Sequence, residues 1–103
     1  MNRKESTVNL AALGAVAGDA KRAAIVVHLL GAKAAEDGAK LKAAVEAVLG
    51  RRISYGSFGW HIAQLRASSI IEMDERKRYR LTSTGVEVAE FVREPLMASI
   101  GGK

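Results

Sequence analysis

Basic side chains are concentrated in the second half of this 103-residue chain. Residues 51–80 hold seven arginines and lysines against three acidic residues, a net charge of +4 within a chain total of +5. Both side chains bind phosphates, and arginine can do so through two parallel hydrogen bonds. Such a concentrated basic surface is typical of proteins that bind a polyanion. The alternative interpretation is an ordinary solvated face.

Residues for other chemistries are scarce in the chain. It has no cysteine, which excludes a disulfide framework, thiol catalysis and thiolate metal sites. His28 and His61 are the only imidazoles, too few for a histidine metal cluster, and we expect His28 to be packed or hydrogen-bonded. We find no phosphate-binding loop and no nucleophile motif, so we expect a protein that is not an enzyme and needs no cofactor or metal.

A helix and a hairpin must position these basic residues. Phe58, Ile62 and Leu65 recur at helical spacing, which predicts a helix over 54–68 with that stripe facing a core. The pattern then becomes β-like, and it predicts a hairpin over 70–81 with the charged sequence DERKR at its tip.

Capping and stop signals delimit the other helices. The second and third helices are expected to start at Asp19 and Asp37, with stops at Gly18, Gly31 and Gly50 and a loop over residues 31–39. The second helix is apolar nearly all round and should be central. Thr84 and Glu87 predict a capping box for a last helix, which Pro95 should stop or kink at Glu94.

These elements predict one mainly α domain with a small antiparallel β-hairpin, in the α+β class, over residues 1–103. We divide it into an N-terminal segment (1–18) whose first five residues fray, a core (19–83) and a C-terminal helix (84–103). The apolar residues are largely alanine, so a small core buries modest area and dimerisation would add burial. The apolar residues in excess of one core are Leu10, Leu13, Val88, Phe91 and Leu96.

Three short motifs carry a family resemblance. The sequences HIAQLR (61–66), IIE (70–72) and YRLT (79–82) with Gly85 resemble the recognition helix and two wing strands of winged helix-turn-helix transcriptional regulators of the ArsR, MarR and PadR groups. Two features depart from that pattern. The family's usual glycine before the first wing strand is Ser69 here, and Gly56 and Gly59 interrupt the recognition helix.

The resemblance implies a protein that binds double-stranded DNA as a homodimer joined through its terminal helices. Helix 54–68 would enter the major groove, and the wing over 74–78 would lie along the backbone. Ser57, Trp60 and Gln64 are expected to face base edges, with His61 at the margin. The full set of candidate DNA contacts is Arg51, Arg52, Ser54, Tyr55, Ser57, Trp60, His61, Gln64, Arg76, Lys77 and Arg78.

Other interpretations stay open at this point. The module could instead bind a protein through Trp60, bind DNA without sequence preference as chromatin proteins do, or bind RNA. The sequence identifies neither an effector ligand nor a target DNA. We expect no signal peptide and no membrane span, and therefore a cytoplasmic protein, associated with the nucleoid in a bacterium or archaeon.

Overall fold

Five helices and a small antiparallel sheet make up the computed structural model, which describes residues 9–32 and 34–101. The elements in chain order are α1 (Leu10–Ala17), α2 (Ala20–Gly31), β1 (Glu36–Asp37), α3 (Gly38–Leu49), α4 (Tyr55–Ala67), β2 (Ile71–Met73), β3 (Arg78–Leu81) and α5 (Ser83–Gly101). The mainly helical α+β class predicted from the sequence is confirmed. The fraying expected over residues 1–5 lies outside the described residues.

Short polar side chains begin the first four helices. Asn9, Asp19, Asp37 and Ser54 each lie just before a helix and accept a hydrogen bond from a backbone N–H of its first turn. These bonds satisfy N–H groups that have no partner within the helix. The predicted starts at Asp19 and Asp37 are therefore confirmed. Gly50 closes α3 in the left-handed conformation, at φ +71°, as the sequence predicted.

The hydrophobic core is built around α2. Ile25 and Val26 are completely buried, and α2 packs against each of the other four helices. Ala23 and Ala24 on α2 and Ala89 on α5 are also buried, so small side chains let the α2 and α5 backbones approach closely. The prediction of a central second helix is confirmed.

The sheet contains one strand more than the predicted hairpin. Its order is β1-β3-β2, and both pairs are antiparallel. β2 pairs with β3 from Ile71 opposite Leu81 to Met73 opposite Tyr79, as the hairpin prediction requires. The expectation of a simple loop over residues 31–39 was wrong, because Glu36 and Asp37 pair with Tyr79 and Arg78.

The start of α5 is fixed by Thr82, not by Thr84. The Thr82 hydroxyl accepts a hydrogen bond from the Gly85 N–H at 3.0 Å, and its own proton points towards the Ser69 carbonyl oxygen at 2.6 Å. A Cβ at Gly85 would collide with the carbonyl oxygen of Ile70. Thr82 and Gly85 therefore let α5 dock directly on the backbone that enters β2, and the predicted capping box at Thr84 was wrong.

Pro95 does not end α5, which continues to Gly101. Proline lacks the N–H that would bond to the Phe91 carbonyl. Both Phe91 and Pro95 lie on the exposed side of the helix, where water can satisfy that carbonyl. One residue further on, Leu96 is buried and holds the following turn against the core. Burial thus outweighs the lost hydrogen bond.

The five apolar residues that the sequence assigned to dimerisation differ in burial, and Leu13 is partly buried against the chain's own core. Val88 and Leu96 are buried in the chain's own core. A single chain therefore buries more apolar side chains than the sequence predicted. Leu10 and Phe91 are 78% and 58% exposed and remain available to a partner. Among the described residues, no helix has the length and apolar character needed to cross a membrane.

Candidate nucleic-acid interface

Helix α4 has well-defined ends. The Ser54 hydroxyl accepts a hydrogen bond from the Ser57 N–H at 3.1 Å, which fixes the start predicted from the sequence. At the other end, the Ile70 N–H donates to the Leu65 carbonyl and the Ser69 N–H to the Arg66 carbonyl, which is a Schellman motif. Ser69 adopts φ +59°, a left-handed conformation that favours glycine. Glycine would adopt this conformation without strain, and Ser69 adopts it despite its side chain.

The inward face of α4 is wider than the sequence predicted. Phe58, Ile62 and Leu65 are buried as expected, but His61 is buried with them at 6% exposure. The expectation that His61 lies at the margin of an outward surface was therefore wrong. Its imidazole points inwards because a hydrogen-bond donor from α2, the Arg22 guanidinium, reaches it there.

The outward surface of α4 differs from the predicted one. The residues of α4 that lie on its outward side, which we call the exposed face, are Tyr55, Gly56, Gly59, Trp60, Ala63, Arg66 and Ala67. Trp60 is 55% exposed. Ser57 and Gln64 are only half-buried flanking residues, because Phe58, His61 and Leu65 turn them sideways. The exposed face thus carries few hydrogen-bonding groups, and apart from Tyr55, Trp60 and Arg66 it is built from very small side chains.

Each of the two exposed aromatic side chains of α4 stacks on a cation from a neighbouring helix. The Arg22 guanidinium of α2 lies 5.0 Å from the centre of the Trp60 ring. The Lys42 ammonium of α3 lies 4.2 Å from the centre of the Tyr55 ring, which is 77% exposed as a residue. Such cation–π contacts restrict the orientation of an exposed ring. Both aromatic groups are therefore supported from below while remaining accessible.

Arg51 and Arg52 form an exposed basic corner between α3 and α4. Glu46 supports this corner, since its Oε2 accepts from the Ile53 N–H at 2.8 Å and from the Lys42 ammonium at 2.9 Å. The Ile53 N–H, followed by Lys42, lowers the pKa of Glu46, so this carboxylate stays ionised at neutral pH. The two arginines therefore project from a fixed backbone.

The hairpin turn (residues 74–77) is organised by Asp74. Its Oδ1 accepts from the backbone N–H groups of Arg76 and Arg78, both at 2.9 Å, and its Oδ2 accepts from the Arg78 guanidinium at 3.1 Å. The Arg78 N–H contributes most to lowering the pKa of Asp74, followed by the Arg76 N–H and the Arg78 side chain. Lys77 adopts φ +63° at the last position of the turn. Arg76 and Lys77 are exposed, whereas part of the Arg78 charge is balanced by Asp74.

Arg66 is a candidate contact that the sequence analysis left out of its set. It lines a groove of about 410 Å³ together with Tyr55, Gly59 and Ala63 of α4, Gly38 and Ala39 of α3, and Tyr79 of β3. Arg66 is exposed and follows Gly59 and Ala63 at helical spacing, so the small-residue stripe could have revealed it. The groove joins α4, α3 and the sheet into one surface.

The predicted contacts fall into three clusters: the basic corner, α4 with its aromatic groups, and the hairpin turn. No hydrogen bond or ion pair among residues 9–32 and 34–101 joins the hairpin turn to α4. His28, as predicted, is hydrogen-bonded, with its Nε2 lying 2.7 Å from Glu36 Oε1. Within the described part of the chain, no group of three or more His, Asp or Glu side chains could hold a metal ion.

A scan against protein-family models, a search of curated proteins and a search of solved structures each found no match to this chain.

Proposed function

We propose that this chain is a double-stranded DNA-binding protein with a winged helix-turn-helix fold, acting as a dimeric transcriptional regulator. In this proposal α3 and α4 are the helix-turn-helix, α4 enters the major groove, and the β2–β3 hairpin is the wing. The proposal depends above all on one observation. Exposed basic residues at the corner and at the hairpin turn lie on either side, in sequence, of a helix whose exposed face carries one further cation, Arg66, and is otherwise built from two aromatic and four very small side chains.

The order of the elements supports the fold proposal. A winged helix consists of a helix, a short strand, two further helices and a two-stranded wing, with the short strand pairing to the returning strand of the wing. The elements from α2 to β3 follow this order, and β1 pairs with β3. The third strand, which sequence reasoning missed, is thus the element that a winged helix requires.

The distribution of charge supports binding to a duplex. Arg51 and Arg52 project from the turn before α4, and Arg76 and Lys77 project from the wing. Contacts to phosphates position a protein on DNA, whereas groups in the groove read the sequence. A helix face built largely of glycine and alanine can lie close in a major groove about 12 Å wide, with Trp60 and Arg66 as protruding side chains.

Dimerisation through α1 and α5 completes the proposal. A groove of about 330 Å³ lies between these helices and α2, lined by Leu13, Ala17, Phe91 and Pro95 among others. Leu10, Phe91 and Met97 are each more than half exposed. Exposed apolar side chains of this size are suited to pairing with a second copy. Sedimentation at micromolar concentration should give twice the 11.0 kDa chain mass, and a monomer throughout that range would exclude the dimer.

A sequence-tolerant DNA binder is the second candidate, and the exposed face of α4 favours it. Gly56, Ala63 and Ala67 have no side-chain hydrogen-bonding groups, so few bonds to base edges can be made. A protein-interaction module that uses Trp60 is the third candidate. It differs from the other two in its response to salt, because an apolar interface lacks the steep loss of affinity that phosphate contacts cause.

A competition experiment tests the proposal. Purified protein bound to a labelled random duplex is challenged with unlabelled duplex DNA, single-stranded DNA and duplex RNA at several salt concentrations. We expect duplex DNA to compete best and affinity to fall steeply with salt. Preferential competition by duplex RNA, or binding that does not respond to salt, would contradict the proposal. A library of genomic fragments then separates a sequence-specific regulator from a sequence-tolerant binder.

A further inference from the structure

Arg22 joins three helices through a single guanidinium. Its Nε donates to His61 Nδ1 on α4 at 2.9 Å, and its Nη1 donates to the Ala15 carbonyl oxygen on α1 at 2.8 Å. The same group lies 5.0 Å from the centre of the Trp60 ring. Arg22 itself belongs to the first turn of α2, where its backbone N–H bonds to Asp19. No other side chain could make these three contacts at once, because they use the planar fork of arginine.

His61 is the one polar side chain that is buried among the described residues. Because its Nδ1 accepts the bond from Arg22, its proton must lie on Nε2, and the ring is neutral. Charged groups face it from α2: Asp19 at 3.8 Å from Nδ1, Arg22, and more distantly Lys21. Helix α1, which also packs against α4, contributes no charged side chain. Burial lowers the pKa of His61, and Arg22 and Lys21 add to this effect while Asp19 opposes it.

Trp60 connects this cluster to the proposed DNA surface. Its ring contacts that of His61 edge to face, with 5.2 Å between the ring centres. The same ring stacks on Arg22 and remains partly exposed to solvent. Trp60 is the largest side chain on the exposed face of α4 and the only tryptophan in the chain. The contacts of Arg22 therefore determine how the main protruding group of this face is oriented.

We propose that Arg22 and His61 form a proton-sensitive latch that positions Trp60 for contact with duplex DNA and ties α1 to α4. Arg22 is a positioning residue in this arrangement and does not contact the DNA itself. The inference depends on the proposed DNA-binding function and identifies a way in which that function is regulated. With the latch closed, Trp60 is held against the two side chains. With the latch open, the ring and the end of α1 lose their common support.

Protonation opens the latch. A proton on His61 Nδ1 removes the acceptor of the Arg22 bond and places an imidazolium against a guanidinium. A histidine in an unfolded chain takes up its proton near pH 6.5. Folded His61 does so only at lower pH, because burial lowers its pKa. The neutral form thus contributes its full stabilisation above about pH 6.5, and the contribution is lost as pH falls through the pKa of the folded state. The latch is closed at neutral pH and opens in acid.

The intrinsic fluorescence of Trp60 tests the latch without DNA. We expect emission from the wild-type protein to change in a single step with a midpoint below pH 6.5, since the protonated imidazole lies in contact with the indole. His61→Gln keeps a hydrogen-bond acceptor for Arg22 but cannot titrate, so its emission should be independent of pH in this range. His28→Gln, which alters the other histidine, should titrate like the wild type. Absence of the step in the wild type, or its persistence in His61→Gln, would refute the latch.

Duplex binding tests the positioning role. At pH 7.5, Arg22→Gln should weaken binding by roughly fivefold, the scale of one lost cation–π contact, without changing the slope of log affinity against log salt. Arg93→Gln removes an exposed arginine of α5 and serves as the matched charge control, with affinity and Trp60 emission unchanged. In the wild type, lowering the pH through the fluorescence midpoint should alter affinity more than it does in His61→Gln.

The possible failures are distinguishable. If the salt slope falls by about one unit in Arg22→Gln, Arg22 contacts a phosphate directly and the positioning role is wrong. If the wild type binds duplex DNA but Arg22→Gln and pH leave its affinity unchanged, the latch does not act on binding. If the wild type binds no duplex DNA at any pH, the proposed function itself is wrong, whatever the pH dependence of Trp60 fluorescence. Should Arg22→Gln not fold, the comparison of wild type with His61→Gln decides the matter.

Discussion

The hairpin turn and the exposed face of α4 are constructed in opposite ways. The hairpin turn concentrates charge, and hydrogen bonds to the partly buried Asp74 fix its backbone while Arg76 and Lys77 project into solvent. The exposed face of α4 carries a single charge, that of Arg66, and it combines glycine and alanine with two aromatic rings, those of Tyr55 and Trp60. Two cations from neighbouring helices, Arg22 and Lys42, stack on its aromatic rings.

This difference indicates that the two regions contribute different properties to DNA binding. Exposed cations attract any phosphate backbone, so the hairpin turn and the basic corner supply affinity that depends on salt but not on sequence. The exposed face of α4 supplies shape, which determines how closely a duplex can approach. Substitutions in the two regions should therefore change different observables, and that distinction can be tested.

The largest effect on stability is expected at Gly85, where α5 packs on the backbone that connects α4 to the hairpin. In Gly85→Ala the added methyl group meets the Ile70 carbonyl oxygen, which lies between the end of α4 and the start of β2. We expect a loss of about 3 kcal/mol in the free energy of unfolding, measured by urea denaturation, because backbone cannot yield as a side chain can. Gly31→Ala, whose added Cβ meets nothing within 4 Å, is the control. Equal stability of the two variants would show that α5 does not dock so closely.

The next effect concerns the charge of the hairpin turn. Arg76→Ala should weaken binding to all duplexes about equally and reduce the slope of log affinity against log salt by roughly one unit, as expected for one lost phosphate contact. Arg78→Ala should change the slope less, because Asp74 already balances part of its charge. Electrophoretic or anisotropy titrations on several unrelated sequences measure both values. If either variant affected one sequence much more than the others, the turn would be reading bases.

Gly59→Ala should change stability less than Gly85→Ala does, and it should also weaken duplex binding. This glycine lies on the exposed flank of α4 with open space around it, so Gly59→Ala should stabilise the helix by roughly 0.5–1 kcal/mol. The same methyl group would occupy space that a bound duplex needs, and affinity should fall. Thermal unfolding and duplex titration of one preparation measure both quantities. If the variant is more stable but binds duplex DNA with unchanged affinity, the bound duplex does not contact this flank of α4.

The smallest effect is expected at Ser69. Its left-handed conformation is unfavourable for a residue with a Cβ, so Ser69→Gly should raise the unfolding free energy by at most about 1 kcal/mol. Because the substitution changes neither the charge of the hairpin turn nor the exposed face of α4, duplex affinity should not change. Any loss of stability would mean that the Ser69 side chain contributes more than its conformation costs.

Local sequence signals predicted the features that depend on near neighbours. Asp19, Asp37 and Gly50 act on backbone groups within a few residues, and their roles could be predicted from the sequence. β1 could not, because its two residues pair with a strand some forty positions away and have no pattern of their own. The cap of α5 was misassigned because Thr82 and Thr84 each have a backbone N–H three residues further on. The sequence alone does not show that it is the Thr82 hydroxyl that accepts such a bond, from Gly85.

The surface of α4 was harder to predict for a similar reason. Helical spacing placed Phe58, Ile62 and Leu65 in the core. It also puts His61 on that stripe, three residues after Phe58 and four before Leu65. The local sequence does not show, however, the hydrogen-bond partner that a buried imidazole requires. Its partner, Arg22, is 39 residues away in sequence and belongs to another helix. The outward stripe then shifted from Ser57 and Gln64 towards glycine and alanine. A distant hydrogen bond thus decided which side chains could face a ligand.

One measurement tests the central claim most directly, namely that exposed cations at the corner and the hairpin turn bind phosphates. The salt dependence of duplex affinity is compared between the wild type and a variant with Arg51, Arg52, Arg76 and Lys77 all replaced by glutamine, after circular dichroism has shown that both are folded. Four lost phosphate contacts predict a slope of log affinity against log salt that is shallower by roughly three to four units. Equal slopes for the two proteins would contradict the account.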